Sequence, residues 1–391
     1  MVGGAPIFPF ERSRVIADPR ETRIFLGIPP EIIKHPLVKV KLMGWLNICY
    51  IRLGNMITGD IERWARGILD ADNEGELEKI LFKAEEVRSE NFDREIYFYA
   101  PSFMYYKNRS YQSSPKKFPN VSITGGCCAL NCKHCEGRVL EAMYSATSPE
   151  KLWEFCLQLS EEGASGCLVS GGCLPDGSIS FESFYDIIEK IKCELDLTVI
   201  VHTGLIKYQT AEKLRRVGVD AALIDIIGSD KTIKEIYNLG TTVKEYDASL
   251  KALQDSEINF VPHVITGLHY GELRGELKAL QMIQKYNPSA LVIIAFMPIH
   301  GTHMEGVSPS KPEDIAKVMA VARLMFPETP IALGCMRPKG RHRVKTDVLS
   351  LKSGVNAIAF PTEEAIETAK ERRYKINFSS QCCSQVYSDL T

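Results

Sequence analysis

NVSITGGCCALNCKHCEGRVLEAM, residues 120–143, decides how this chain is read. Its first five residues form an apolar, β-branched run of strand type. A glycine pair ends the run, and Cys128-x-x-x-Cys132-x-x-Cys135 follows inside one loop. Three thiolates in a single loop suit a [4Fe-4S] cluster, whose irons prefer soft sulfur donors. Three donors leave one iron open, and an open iron can be chelated by the amino and carboxylate groups of a small molecule. A structural zinc site would want a fourth ligand close by. Cys127 is adjacent, but two neighbouring thiolates followed by steps of four and three residues fit zinc poorly, so Cys127 is read as a neighbour of the site.

Downstream of this loop, short apolar runs alternate with helical stretches. The strand candidates are residues 120–124, 167–171, 197–203, 221–226, 260–265, 290–296, 331–335 and 356–360. Helices are expected over 149–163, 181–195, 209–217, 244–255, 271–286, 311–326 and 362–372. This alternation predicts an α/β chain, a complete or partial (β/α) TIM-type barrel. Upstream, residues 30–95 read mainly as helix, and 96–118 form an aromatic stretch of no clear period, read as a linker packed on the main domain. The expected organisation is a helical extension over 1–118, the barrel over 119–361, and a C-terminal helix with a cysteine-bearing tail over 362–391, folding over the barrel mouth.

The bulk composition is that of a soluble globular protein, 45% hydrophobic and 25% charged in 391 residues. A net charge of -2 gives no reason to expect a nucleic-acid or anionic-membrane partner. No apolar run reaches the ~18 residues of a membrane span, and the N-terminus carries charges and prolines where a secretion signal would be apolar. A cytoplasmic protein is expected. In a reducing compartment, the twelve cysteines point to metal ligation where they cluster. Cys156, Cys167 and Cys193 sit in predicted helices and a strand, and are read as buried small hydrophobes.

Functional groups of such barrels collect at the C-terminal ends of the strands, which makes those ends the candidate site residues. The second strand ends in Ser170-Gly171-Gly172-Cys173, where the glycines are a tight turn or a ligand-facing backbone. His202 ends the third strand, either lining the site or satisfied in structure. Asp225 ends the fourth, as a hydrogen-bond acceptor for a ribose or substrate amine, or as a helix cap. His263 lies on the fifth, and Met297 and Pro298 follow the sixth, leading to a loop with His300 and His303 read as solvated. The seventh ends in Cys335, and the tail carries Cys382 and Cys383. These three, with Cys173 and Cys49 as further candidates, could converge on a second iron–sulfur cluster. Arg337, Arg341, Arg343 and Lys345 are read as a solvated basic loop or a seat for an anionic ligand, either the carboxylate of a bound small molecule or an acidic partner domain.

The cysteine spacing directly after the first barrel strand resembles the radical S-adenosylmethionine (SAM) superfamily. The resemblance implies a [4Fe-4S] cluster on Cys128, Cys132 and Cys135 with SAM at its open iron. It implies that His134 packs on adenine where the family often has an aromatic residue. It implies SAM contacts from the backbone of Ser170, Gly171 and Gly172, at the place of a GGE-like motif whose acid is here Cys173. Met297 and Pro298 take the place of main-chain adenine contacts. The barrel resembles biotin-synthase-like proteins. The combination of SITGGCCALNCKHCEGRVLEAM, VSGGCLPDGS, VHTGLI, PHVITGLHYGE and GCMRPKGRHR is most similar to the archaeal two-protein lipoyl synthases. That family implies sulfur insertion into an octanoyl group on a lysine of a carrier domain. It proceeds by hydrogen abstraction by a 5′-deoxyadenosyl radical and sulfur donation from an auxiliary cluster, with a paralogous radical SAM subunit as partner and a reductant such as ferredoxin. The N-terminal cysteine motif of bacterial single-chain lipoyl synthases is missing here. The rival readings are a biotin synthase or maturase type of enzyme on a small metabolite, a superfamily methylase or mutase, and a non-catalytic iron–sulfur partner subunit.

Overall fold

The computed structural model describes residues 65–69 and 74–390, apart from 103 and 115. The helical reading of residues 30–64 and the candidate ligand Cys49 lie outside the described residues. Eleven strands form one sheet: β1 (Glu95–Tyr99), β2 (Asn120–Ser122), β3 (Tyr144–Ser145), β4 (Gly166–Ser170), β5 (Thr198–His202), β6 (Ala221–Asp225), β7 (Phe260–Thr266), β8 (Leu291–Ala295), β9 (Ile331–Leu333), β10 (Ala357–Ala359) and β11 (Lys375–Ser379). All pairings are parallel, in the order β11-β1-β10-β9-β8-β7-β6-β5-β4-β2-β3. Among the described residues the sheet does not close, since β3 and β11 are its edges, so the barrel they form is partial. Each expected strand is present, because parallel strands buried on both faces read as near-continuous apolar runs, as LVIIA does at β8. Each expected helix is also present. No helix among the described residues is long and apolar enough to cross a membrane.

Three segments depart from the sequence reading. Part of the aromatic stretch is not a linker: Glu95–Tyr99 is a full strand between β10 and β11, with alternate residues facing the bore. Its pairing partners lie more than 250 residues away, so nothing local marks it. The segment read as a basic loop is the helix Arg341–Lys352. The tail goes further than folding over the mouth. After β11 it turns inward, and Cys383 and Val386 pack inside the bore against Ile200, Leu223, Val292 and Ala332. It ends near the opposite rim, where Tyr97 Oη donates to the Asp389 carbonyl (2.8 Å), Tyr99 Oη to the Asp389 carboxylate (2.5 Å) and Tyr387 Oη to the Asp220 carbonyl (3.3 Å).

The loop after β7 is held by a buried acid. Glu276 opens the helix Glu276–Ile283, and its Oε1 accepts the Gly267 N–H at 2.8 Å. Burial pushes this carboxyl up from 4.5 to about 7. Folding therefore opposes its ionisation: the penalty is absent below the unfolded value, grows between the two values, and is full above the folded one. Glu276→Gln keeps an acceptor for Gly267 without the charge. It is expected to stabilise the protein at pH 8 by on the order of 3 kcal/mol more than at pH 4.5, read from denaturant melts at both pH values. An equal effect at both would contradict the argument.

Candidate active site

The loop after β2 folds back on itself. Cys135 and Glu136 N–H donate to the Cys132 carbonyl and Arg138 N–H to that of Cys135, with Asn131 and Glu136 at φ 48° and 45°. The result is a knot that presents the donor atoms of Cys132, His134 and Cys135 within 4.8 Å of one another. The Cys132 thiol donates to the Tyr237 carbonyl at 3.6 Å. Cys128 sits across from them, against Cys173. The hydrogen bond from the Cys173 thiol lowers Cys128 to about 5, against burial and with help from backbone N–H groups. Cys135 is lowered to about 4 by the Cys132 thiol, again against burial and with help from His134. Cys132 and Cys173, the donors of those bonds, are pushed up. A ligand set needs thiolates, and two of the three are already favoured in that form. The His134 Nδ1 atom beside them is buried without a partner. The donor chemistry and this orphaned nitrogen fit a cluster with a small molecule at its open iron, which Cys128, Cys132 and Cys135 would hold.

Gly172 belongs to this knot. Its N–H donates to Thr124 Oγ1 at 2.6 Å, and a Cβ there would run into the Cys127 carbonyl. The glycine pair is thus needed for the close approach of two loops. Glu136 ties the knot to the loop after β8, through the His303 N–H (2.6 Å) and the His303 ring (2.5 Å). His303 and His300 are exposed and paired with Glu136 and Glu305, the solvated loop expected for them.

The knot forms one wall of a cavity of about 290 Å³. His134, Ser170, Gly171, Gly172, Asp225 and Met297 line it, as does His202, while Pro298 follows Met297 in the same loop. Tyr237, Leu239 and Tyr246 line it too. Sequence reading missed these three, because they follow β6 by more than ten residues and carry no motif. His263 does not line the cavity; its ring is tilted by 54° against that of His202, with centroids 5.8 Å apart.

The second cysteine group separates into two places. Cys382, Cys383 and Cys335 pack together inside the bore. The Cys383 thiol lowers Cys382 to about 7 against burial, with help from Ser384, whose Oγ donates to Cys382 Sγ at 3.2 Å. The His202 ring beside Cys382 adds to this, and burial, then Cys382, pushes Cys335 up to about 11. Cys173 does not join them; it faces Cys128 on the other side of the cavity. Cys156 and Cys167 are buried as expected, but Cys193 is exposed, on the outer face of the helix whose Ile188 and Ile191 point inward.

The basic group is neither solvated nor ligand-facing as a whole. Arg337 and Asp347 are both fully buried, joined by Nε–Oδ1 (2.6 Å) and Nη2–Oδ2 (3.0 Å), and Arg337 also donates to the carbonyls of Gly334, Ala359 and Phe360. This clamp fixes the turn that carries Cys335. Lys345 pairs with Glu313, and Arg343 is half-buried behind Arg337.

Residues 122–280 match the Radical SAM superfamily, and residues 293–379 match the Biotin and Thiamin Synthesis associated domain. The matched part of the chain carries the cysteine loop and is similar to the radical SAM superfamily. The chain thereby fits a [4Fe-4S] cluster with SAM at its open iron. It is 27% identical over 223 residues to a biotin synthase of Leptospira biflexa, covering 55% of this chain and 62% of that protein's length. It is 22% identical over 306 residues to the 3-methylornithine synthase of Methanosarcina acetivorans, covering 77% of this chain and 80% of that one. Its fold is that of crystalline methylornithine synthase (TM-score 0.60, 16% identity, 89% of this chain and 100% of that chain). A maturase of the [FeFe]-hydrogenase shares it (TM-score 0.59, 16% identity, 84% and 73%). The chain is thus similar to biotin synthases and to methylornithine synthase.

Proposed function

We propose that this enzyme activates a C–H bond of an aliphatic chain and inserts sulfur into it, with the octanoyl group of a lysyl carrier domain as substrate. The observation that supports this most is the cavity itself. Its walls are apolar, with Leu140, Ile179, Leu205, Ile265, Phe296 and Ile299 among them, the cysteine knot is on one side, and further thiols are packed behind His202. Cys128, Cys132 and Cys135 would hold a cluster that, when bound, would supply the electron for reductive cleavage of SAM. The apolar walls bind an alkyl chain and keep water from the reactive carbon. Ser170, Gly171, Gly172, His134, Met297 and Pro298 would orient SAM. Cys335, Cys382 and Cys383 would hold the second cluster that provides sulfur. The reductant would be of ferredoxin type, and a paralogous radical SAM subunit the partner.

The relatives favour a second reading. Biotin synthase and 3-methylornithine synthase are named for small products, and a free metabolite in the same cavity fits that likeness.

The two readings part on turnover of an octanoylated carrier domain, and iron content tests the second cluster. Anaerobically reconstituted wild type is expected to hold about eight irons, and Cys335→Ala/Cys382→Ala about four. That variant should still form 5′-deoxyadenosine but lose sulfur transfer to an octanoylated carrier domain. About four irons in both proteins would end the sulfur-insertion reading and leave the small-metabolite one.

A further inference from the structure

His202, Asp225 and His263 form a second convergent set of donors. One ligand atom from each lies within 4.8 Å of the others, and the only other such set of three among the described residues is in the cysteine knot. The set is built by the sheet. The three residues share the inward parity of adjacent strands β5, β6 and β7: Asp225 is in register with His263, and His202 with Leu223, two residues before Asp225. The layer beneath them on the same strands is Ile200, Leu223 and Val261, all buried. His202 and Asp225 line the cavity above this layer, and His263 packs against His202 beside them.

Their mutual geometry is not that of a hydrogen-bonded triad. His202 Nε2 and Asp225 Oδ1 are 3.5 Å apart, longer than a good N–H···O bond. The separation is close to the ~3.4 Å edge of a tetrahedron whose metal–ligand bonds are about 2.1 Å. His263 Nδ1 lies 3.1 Å from the Val261 carbonyl. Donating there leaves the lone pair on Nε2, the second-shell arrangement that fixes a metal-binding histidine. Cys382 lies beside His202, near enough for its thiolate to act on that ring.

We propose that His202, Asp225 and His263 bind a divalent first-row transition-metal ion such as Zn²⁺ beside the cavity, with a substrate group in the remaining position, or Cys382 if no second cluster occupies that thiol. Two imidazoles and one carboxylate are a borderline N/O set suited to such ions and unsuited to Ca²⁺ or Mg²⁺. The ion's charge would balance the Asp225 carboxylate in an apolar layer, where an isolated charge is costly. It would also give the cavity a fixed Lewis acid opposite the cysteine knot. The site stands on the barrel strands and does not depend on sulfur insertion; it would remain if the iron count showed one cluster.

The test is calorimetric titration of Zn²⁺ into the full-length protein after anaerobic cluster reconstitution, which keeps the cluster thiolates occupied. One equivalent is expected to bind. His202→Gln/His263→Gln should weaken it at least about 100-fold, beyond the loss typical of a second-shell change, and Asp225→Asn should weaken it less. Unchanged iron content and thermal melting in the variants separate ligand loss from misfolding. Zinc-edge absorption of the wild type should show imidazole nitrogens at about 2.0 Å, with sulfur at about 2.3 Å if Cys382 takes part. No saturable zinc binding, equal binding in the double variant, or a sulfur-only shell would each overturn the proposal.

Discussion

Replacing Cys128, Cys132 and Cys135 together by Ala is expected to abolish SAM cleavage, with no 5′-deoxyadenosine above the uncatalysed background. The three thiols have no substitute. Cys173 touches Cys128, but it is on the loop after β4 and cannot replace the pair in the knot. Cys127 is exposed and precedes the turn that gathers the others. The cleaving electron has to reach the sulfonium from a metal centre that also chelates the methionine end, so losing the centre removes both binding and reduction. Apart from the Cys132 thiol bond to Tyr237, the substitutions leave the loop's backbone hydrogen bonds in place, so the variant should fold, and its melt should stay within about 2 kcal/mol of wild type. Chromatography of the quenched reaction measures the loss. Retained 5′-deoxyadenosine formation would sink the assignment of these residues.

The second large effect is on stability. Arg337→Met should destabilise the protein by about 3–5 kcal/mol, because it strands the Asp347 carboxylate in the interior. Asp347 would keep only the Thr362 N–H, at 2.9 Å, and the carbonyls of Gly334, Ala359 and Phe360 would each lose a charged donor. Against a typical stability of about 5–15 kcal/mol, that is a large fraction. Arg337→Met/Asp347→Leu should recover much of the loss, since replacing both partners by apolar groups leaves no buried charge. Guanidinium melts of the two variants decide the matter: equal destabilisation in both would show that the clamp contributes through shape alone. Because the clamp holds the turn bearing Cys335, the single variant should also weaken the proposed second cluster before the iron of the knot.

The pairing of Arg337 with Asp347 also shows where a one-dimensional reading stops. A run of basic residues after a strand reads as solvated, and Lys345 and Arg341 are on the surface of a helix as that reading requires. Arg337 is different because a carboxylate ten residues away lies one helix face over and three strand-end carbonyls converge on the same point. Cys173 misled in the opposite way. As a thiol at a strand end it is equivalent to Cys335, yet the close approach of Gly172 to Cys127 draws it against Cys128. His202, Asp225 and His263 were each legible singly as strand-end residues. Their convergence was not, because it depends on the inward parity of three strands and the absence of any insertion that would shift one of them.

The sequence by itself determined the alternation of strands and helices, the parallel barrel, and the cysteine loop with its cluster chemistry. These are local properties: an apolar run, a helical period, a four-then-three cysteine spacing. Only the tertiary structure decided that β1 joins the sheet, that the tail fills the bore, and which thiols and histidines share a wall. Those outcomes rest on contacts between residues far apart in the chain, such as Tyr99 with Asp389 and Cys382 with His202. Such contacts are set by which side chains fill the same space once the sheet has curved, and no short stretch of sequence encodes that.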